Sequence, residues 1–414
     1  MRRMSLHSWL SERGKRISFP HGGIVTQTAE ARGKPINATI GIALDEEGVP
    51  LHLPSLMRLV NLPLEEVLPY ASTHGIESLR NEWLRHMRLK NPSLPASVST
   101  PVVTAGITHG LSACACLFTD PGDAVYIFSP YWGNYRQTFE KLWGATLHAI
   151  PLFHEGRMDV ESLCTAIQHS SSTHKVLLLN FPNNPTGYTA VEYESLCASL
   201  SDEAERGSTL TVLCDDAYFG LTYDDALPQE SLFARLANLH ERVLAVKIDG
   251  ATKEEYAWGL RVGFLTFGGK ATTKEMYTDL EDRVAGFVRG DVSNCSQLSQ
   301  HLVLRTLRSS TYAREKQRNK ELLRKRFHRS QDILVQGRFA RFCTLLPCNS
   351  GYFLCLQLHH LDAEAVRRHL LEQYDTGIVA LGQDKVRIAF SSVPTEQLPL
   401  LYDNLHKTFC DLSS

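Results

Sequence analysis

The chain has 414 residues, a formal net charge of -2, 43% hydrophobic residues and 21% charged residues. That usage excludes disordered and collagen-like classes, and the length leaves room for a large core in two or three domains. Near-neutral charge gives no general pull towards nucleic acid or an anionic membrane, and ten cysteines without a paired metal spacing point to free thiols in a reducing, cytoplasmic setting.

The N-terminus, residues 1–16, is basic but has no apolar run, so it is not a secretory signal. Arginine and serine there suit a transit peptide, but Glu12 does not. The stretch from Pro101 to Phe118 is weakly polar, yet His109, glycines and threonines make it a poor membrane span. Its first residues, Pro101–Thr104, run into Gly106-Ile107-Thr108, which opens a helical pattern. Strand-like apolar runs follow at Ala124–Phe128, Val176–Leu179, Leu210–Leu213 and Val243–Ile248, with helical stretches such as Ala190–Leu200 between them. This alternation predicts an α/β fold with a mostly parallel sheet and helices on both faces. From Ser309 the texture changes. Thr311–Arg329 is a long, highly charged helical pattern, and its basic residues near Arg324–Arg329 read as a solvated face. Two short strand-like runs follow, Phe353–Leu358 and Val386–Phe390, and predict a smaller α+β unit.

Ligands in an open parallel sheet sit outside the carboxyl ends of the strands. Four such ends carry unusual residues: Trp132 and Tyr135 after the first run, Asn184 after the second, Asp215 and Tyr218 after the third, Lys253 and Arg261 after the fourth. Tyr135 fits a buttress of the site and ordinary helix packing equally well. A lysine, an aspartate, an arginine and aromatics on one rim suit pyridoxal phosphate. That cofactor needs a Schiff-base lysine, a carboxylate for its pyridine nitrogen, a donor for its ring oxygen, and cations with a helix N-terminus for its phosphate.

The motifs reach a family at this point. Tyr70-x4-Gly75-x3-Leu79-Arg80, Asn184-Pro-Thr-Gly187, Asp215-x-x-Tyr218, Lys253-x5-Gly259-x-Arg261-x-Gly263 and Arg387 occur in the order and spacing of the class I/II aminotransferases. The chain therefore resembles that family of fold-type I pyridoxal phosphate enzymes, relatives of aspartate aminotransferase. The resemblance implies an N-terminal segment (1–50) packed on a small domain, a large cofactor-binding domain (51–308) and a small C-terminal domain (309–414). It implies Lys253 as the Schiff-base lysine and general acid/base, Asp215 on the pyridine nitrogen, and Tyr218 and Asn184 on the ring oxygen. It further implies Gly106, Ile107, Thr108 and Arg261 on the phosphate, Trp132 stacked on the ring, and Tyr70 reaching the phosphate of a neighbouring subunit in a homodimer.

For the substrate, the resemblance implies Arg387 on the α-carboxylate, beside Asn184, and Gly41 along its backbone. Arg289 has the spacing to Ser293-Asn294 at which aspartate aminotransferases place an arginine for a distal carboxylate, while Asp291 nearby is an alternative partner for it. The expected reaction moves an amino group from an L-amino acid, with aspartate or glutamate favoured, to a 2-oxo acid. A C–S lyase or decarboxylase on the same fold is the alternative, since the scaffold does not choose which bond at Cα breaks. A DNA-binding sensor is disfavoured, because the stretch before Asn37 shows no helix-turn-helix pattern. Two features depart from the family: Gly250 stands where a phosphate-binding serine is common, and Glu254 and Glu255 follow the lysine without a role in the motif.

Overall fold

A computed structural model describes residues 9–413. The basic residues 1–8, on which part of the leader reading rests, lie outside the described residues. The strands of the central sheet are β1 (Val102–Thr104), β2 (Ala124–Ser129), β3 (Thr146–Pro151), β4 (His174–Asn180), β5 (Thr209–Asp215), β6 (Val243–Gly250) and β7 (Gly263–Gly268). Their spatial order is β1-β7-β6-β5-β4-β2-β3. β3, β2, β4, β5 and β6 run parallel, and β7 is antiparallel to both its neighbours. The interior of β4 to β7 is buried on both faces, which is why these strands read as unbroken apolar runs rather than as an alternation.

The helices that position the site are α1 (Ile24–Glu30), α2 (Glu77–Lys90), α3 (Ile107–Phe118), α4 (Tyr193–Glu205), α5 (Lys274–Asp291) and α6 (Tyr312–Leu334). The helical stretch expected from Ala190 begins three residues later. Strand β3 and the return strand β7 carry no chemistry at their ends and are additions to the sequence reading. A second, antiparallel sheet has the order β8 (Cys343–Leu345), β9 (Leu354–Leu358), β11 (Lys385–Ile388), β10 (Val379–Leu381). The N-terminal segment lies against this unit. Ile36–Asn37 pairs with Thr376–Gly377, and the Gln27 side chain accepts from the Ala380 N–H at 2.8 Å and donates to its carbonyl at 3.2 Å.

The charged helix α6 corrects one expectation. Arg326 is fully buried, not solvated. It donates to the carbonyls of Leu44 (2.6 Å) and Ser391 (2.9 Å) and lies 3.3 Å from Glu46. Helical spacing puts it on the face shared by Leu323, Phe327 and Ser330, all buried. The guanidinium thus ties the N-terminal segment to the C-terminal unit. Among the described residues no helix is long and apolar enough to cross a membrane.

Beneath the carboxyl rim lies a buried ionic cluster. Lys247 of β6 pairs with Asp216 and stands 3.5 Å from Asp249. Ser231 donates to Asp216 at 2.5 Å, and the Trp83 indole donates to Asp249 at 3.1 Å. Burial opposes charge on Lys247, but the two carboxylates outweigh it and hold its pKa above the ordinary lysine value. Burial pushes Asp249 up to about 6, with Lys247 opposing. Removing one partner of such a cluster strands buried charge. Lys247→Met is expected to cost about 3–5 kcal/mol, read as a fall in the urea midpoint at unchanged slope; a loss under 1 kcal/mol would show that the lysine does not hold the cluster together.

Candidate active site

Strands β4, β5 and β6 point their carboxyl ends at one cavity of about 360 Å³. Asn180, Asp215 and Gly250 are the last residues of those strands. The register places Asn180 opposite Asp215 and Asp215 opposite Ile248. Residues far apart in the chain therefore share one rim because parallel strands end together.

Asp215 is buried, and its carboxylate accepts from the Tyr135 hydroxyl at 2.6 Å and from the Ala217 N–H at 3.0 Å. Burial raises its pKa to about 6 against these two hydrogen bonds. Tyr135 therefore belongs to the site as a buttress. The two readings of Tyr135 in the sequence are separated by this contact, which no local spacing encodes. Asn180 adds a donor to the Asp215 carbonyl at 2.9 Å, and its side chain accepts from the Asn184 N–H at 2.8 Å. The Asn184 turn is thus pinned to the Asp215 strand.

Lys253 lies in the turn after β6, partly accessible from the cavity. Its Nζ donates to the Gly41 carbonyl at 3.0 Å and sits 5.1 Å from the centre of the Tyr218 ring. It has no carboxylate partner among the described residues. Burial, then Arg387 and Arg261, press its pKa down to about 7, with Asp215 opposing. A lysine in this state holds a substantial neutral fraction near pH 7, which is what a nucleophile or proton acceptor requires.

At the other end of the cavity α3 begins. The N–H groups of Ile107 and Thr108 that open it have no preceding turn to donate to, while that of His109 already donates to Gly106 O at 3.1 Å. Gly106, with φ +85°, caps it, and a Cβ there would lie 2.5 Å from an Arg261 guanidinium nitrogen. Only glycine lets Arg261 come down on this turn. The guanidinium has one long hydrogen bond, to Trp258 O at 3.4 Å, so most of its donors remain free. Ile107, Thr108 and Trp132 line the same cavity. The departure at Gly250 has a steric cause: a Cβ would stand 2.6 Å from the Val262 carbonyl. Serine does not fit there. Thr252, which the sequence reading passed over as a ligand, has a buried hydroxyl with no hydrogen-bond partner among the described residues and lines the cavity.

Arg387 of β11 projects into the cavity and is buried without a carboxylate partner among the described residues. It donates to Thr39 O (2.8 Å) and to Asn184 Oδ1 (3.2 Å), stacks 4.1 Å over Phe353, and leaves Nε unpartnered. Burial lowers its pKa to about 10, still far above neutrality. A cation held this way is a preformed seat for a carboxylate.

The structure brings Gly41, Ile107, Thr108, Trp132, Asn184, Asp215, Tyr218, Lys253, Arg261 and Arg387 around one cavity. Gly106 caps α3 against Arg261 without lining the cavity itself, and two further expected residues stand away from it. Tyr70 is 88% exposed and Arg289 is exposed on α5, bonded to Ser293 Oγ at 3.0 Å; neither lines the cavity of its own chain. Thr39, Asn180, Thr252 and Phe353 line the site and were not singled out. None stands in a motif, and only the fold carries them here.

The donor set fits pyridoxal phosphate. An amine without a carboxylate partner, a buried carboxylate and an anion seat at a helix N-terminus occupy one cavity, and two buried donors, Thr252 Oγ1 and Arg387 Nε, have no acceptor among the described residues. Comparison with known proteins points the same way. The sequence matches the family described as aminotransferase class I and II over residues 57–405. It is 26% identical over 301 residues to an aspartate/prephenate aminotransferase of Thermus thermophilus, covering 72% of this chain and 71% of that one. It is 28% identical to a probable aspartate/prephenate aminotransferase of Thermus aquaticus over 65% of this chain and 63% of the relative. Among solved structures, an aminotransferase from Anaerococcus prevotii superposes with a TM-score of 0.84 at 23% identity, over 96% of this chain and 99% of the other. An α-aminoadipate aminotransferase from Thermus thermophilus, complexed with N-(5'-phosphopyridoxyl)-L-leucine, does so at 0.78 with 20% identity over 99% of each chain.

Proposed function

The chain belongs to the class I and II aminotransferases, and from that premise we propose that it moves the amino group of an L-amino acid to a 2-oxo acid, with Lys253 as base and Arg387 as anchor. The observation that carries the reading is the pair of uncompensated groups in one cavity: a neutralisable lysine and a buried arginine without a carboxylate. Pyridoxal phosphate, when bound, supplies an electrophilic aldehyde carbon and an electron-withdrawing ring. Asp215 holds the proton on the ring nitrogen, its own charge braced by Tyr135 and Ala217 N–H. Thr108, Thr252, Arg261 and the start of α3 hold the phosphate. Arg387 seats the substrate carboxylate beside Asn184, and Lys253 Nζ takes up the proton from the substrate's Cα.

The distal specificity and the assembly belong to the same proposal. Tyr70 and Arg289 serve the site of a second copy in a homodimer. The segment around Tyr70 supports this: Leu64 is 70% and Leu68 73% exposed beside it, an apolar surface of the kind partners cover. Arg289 reaching across favours a dicarboxylic amino acid, in keeping with the names of the Thermus relatives. Ten free thiols support a cytoplasmic setting.

The test is a single-turnover screen of the holoenzyme against each proteinogenic amino acid without acceptor, following the visible absorption of the bound cofactor. Conversion with aspartate or glutamate is the expected result. Conversion with apolar amino acids alone would remove the role given to Arg289. Ammonia or carbon dioxide released without acceptor would instead mark a lyase or decarboxylase. Arg387→Gln is expected to lower kcat/KM by about 2–5 kcal/mol, roughly 30-fold to several thousandfold, mainly through KM; an unchanged KM would place the carboxylate elsewhere.

A further inference from the structure

Glu254 and Glu255 have no part in the cofactor site. Glu254 faces the other way, into a second cavity of about 560 Å³ behind the Lys253 turn, and Glu255 is buried beside it. Glu254 is buried and takes Lys90 at 2.6 Å and Lys316 at 2.5 Å. Glu255, also buried, accepts from the Tyr312 hydroxyl at 2.8 Å and lies 3.2 Å from Lys316. Burial alone would raise Glu254; the two lysines outweigh it and hold it at about 2.

Two loops build the wall between the cavities. The end of β5 and the loop after it present Asp215 and Tyr218 to the cofactor cavity and Phe219, Gly220 and Leu221 to the second. The loop after β6 presents Lys253 to the first, and Glu254 and Tyr256 to the second. The two loops touch: a Cβ on Gly220 would lie 2.2 Å from Glu254 Oε1.

The second cavity also contains an uncommitted cation. Lys320, two turns into α6, is partly buried and has no hydrogen bond or ion pair among the described residues. Burial lowers its pKa, with Glu254 and Asp225 opposing from a distance. The first turn of the same helix, at Tyr312 and Ala313, opens onto this space, so its dipole adds positive potential. The floor is apolar, made by Phe219, Leu221 and Tyr256, each buried. The volume falls within the range of small-ligand pockets.

We propose that this cavity binds a small organic carboxylate with an apolar body, and that its occupancy is felt at Lys253 through the two shared loops. The carboxylate pairs with Lys320 and competes with Glu254 for Lys316 and Lys90. The apolar body covers Phe219 and Leu221. A ligand that loosens the Glu254 clamp changes the seat of the next residue, Lys253, and linkage makes the effect reciprocal.

The test uses 3-phenylpropionate and the holoenzyme carrying Arg387→Gln, which removes the carboxylate seat of the first cavity. Calorimetry is expected to show one site per chain, and the absorption of the bound cofactor is expected to shift on titration. Adding Lys320→Met, which keeps the aliphatic stem, is expected to weaken binding tenfold or more and abolish the shift; Lys320→Gln provides the same comparison if the methionine variant is unstable. Absence of binding, or binding that both Lys320 variants leave unchanged, overturns the site. Binding with no change in absorption or in wild-type turnover overturns the coupling.

Discussion

Lys253→Ala is expected to lower transamination turnover by roughly 10³-fold or more, because one side chain supplies both the nucleophile and the proton acceptor. The structure leaves no substitute. Among the lining residues of the cavity, the other cations are Arg261 and Arg387, and neither guanidinium deprotonates near neutrality. Lys253→Arg separates charge from basicity. It keeps a cation in place but cannot accept a proton, so it should be as inactive as the alanine variant. Steady-state turnover with the best donor from the screen is the measurement, with retained cofactor absorbance and unfolding temperature as controls for folding. Activity within tenfold of wild type in either variant would remove Lys253 from the chemistry.

Asp215→Asn should produce the second large loss, roughly 10²- to 10³-fold in turnover, the scale of removing one preorganised electrostatic partner. The effect on stability runs the other way. Asp215 has a folded pKa raised to about 6, above its unfolded value, so the folded apoprotein binds the extra proton between about pH 4 and pH 6. Its contribution to apoprotein stability is therefore lost as pH rises through that window. At pH 7 the apo variant should unfold no more easily than the wild type, and the pH dependence of the wild type between 4 and 6 should flatten. A variant that loses both stability at pH 7 and activity would indicate a structural aspartate rather than a functional one.

The cluster around Lys247 and the clamp on Glu254 show how such a site is supported. Lys90 and Lys247 lie 4.9 and 4.3 Å from the Phe219 ring centre. One aromatic ring thus separates the ion pairs beneath the Asp215 loop from those behind the Lys253 loop. Both loops face the first cavity on one side and buried charge on the other, which braces them from behind.

Much of this was legible in the sequence. Apolar runs followed by Asp215, Asn184 and Lys253 mark parallel strands whose carboxyl ends share one cavity, because strand period and turn chemistry are local properties. The motif spacings carry Arg261 and Arg387 for the same reason. What the sequence could not say depends on contacts between distant residues. Tyr135 belongs to Asp215 through a bond 80 residues long in sequence. Gly250 excludes serine because β7 returns against β6 with Gly263 opposite it. Glu254 looked purposeless beside Lys253 because its partners lie 164 and 62 residues away. Arg326 sits in a charged helix yet is buried, since packing against Leu44 and Ser391 selects its face. The sequence by itself determined the fold class, the cofactor chemistry and most of the expected residues that the fold brings around one cavity, through motif spacing. The tertiary structure alone decided which polar groups pair, which side chains face away from the site and where a second cavity opens, because burial and close approach are properties of packed surfaces and not of neighbours in the chain.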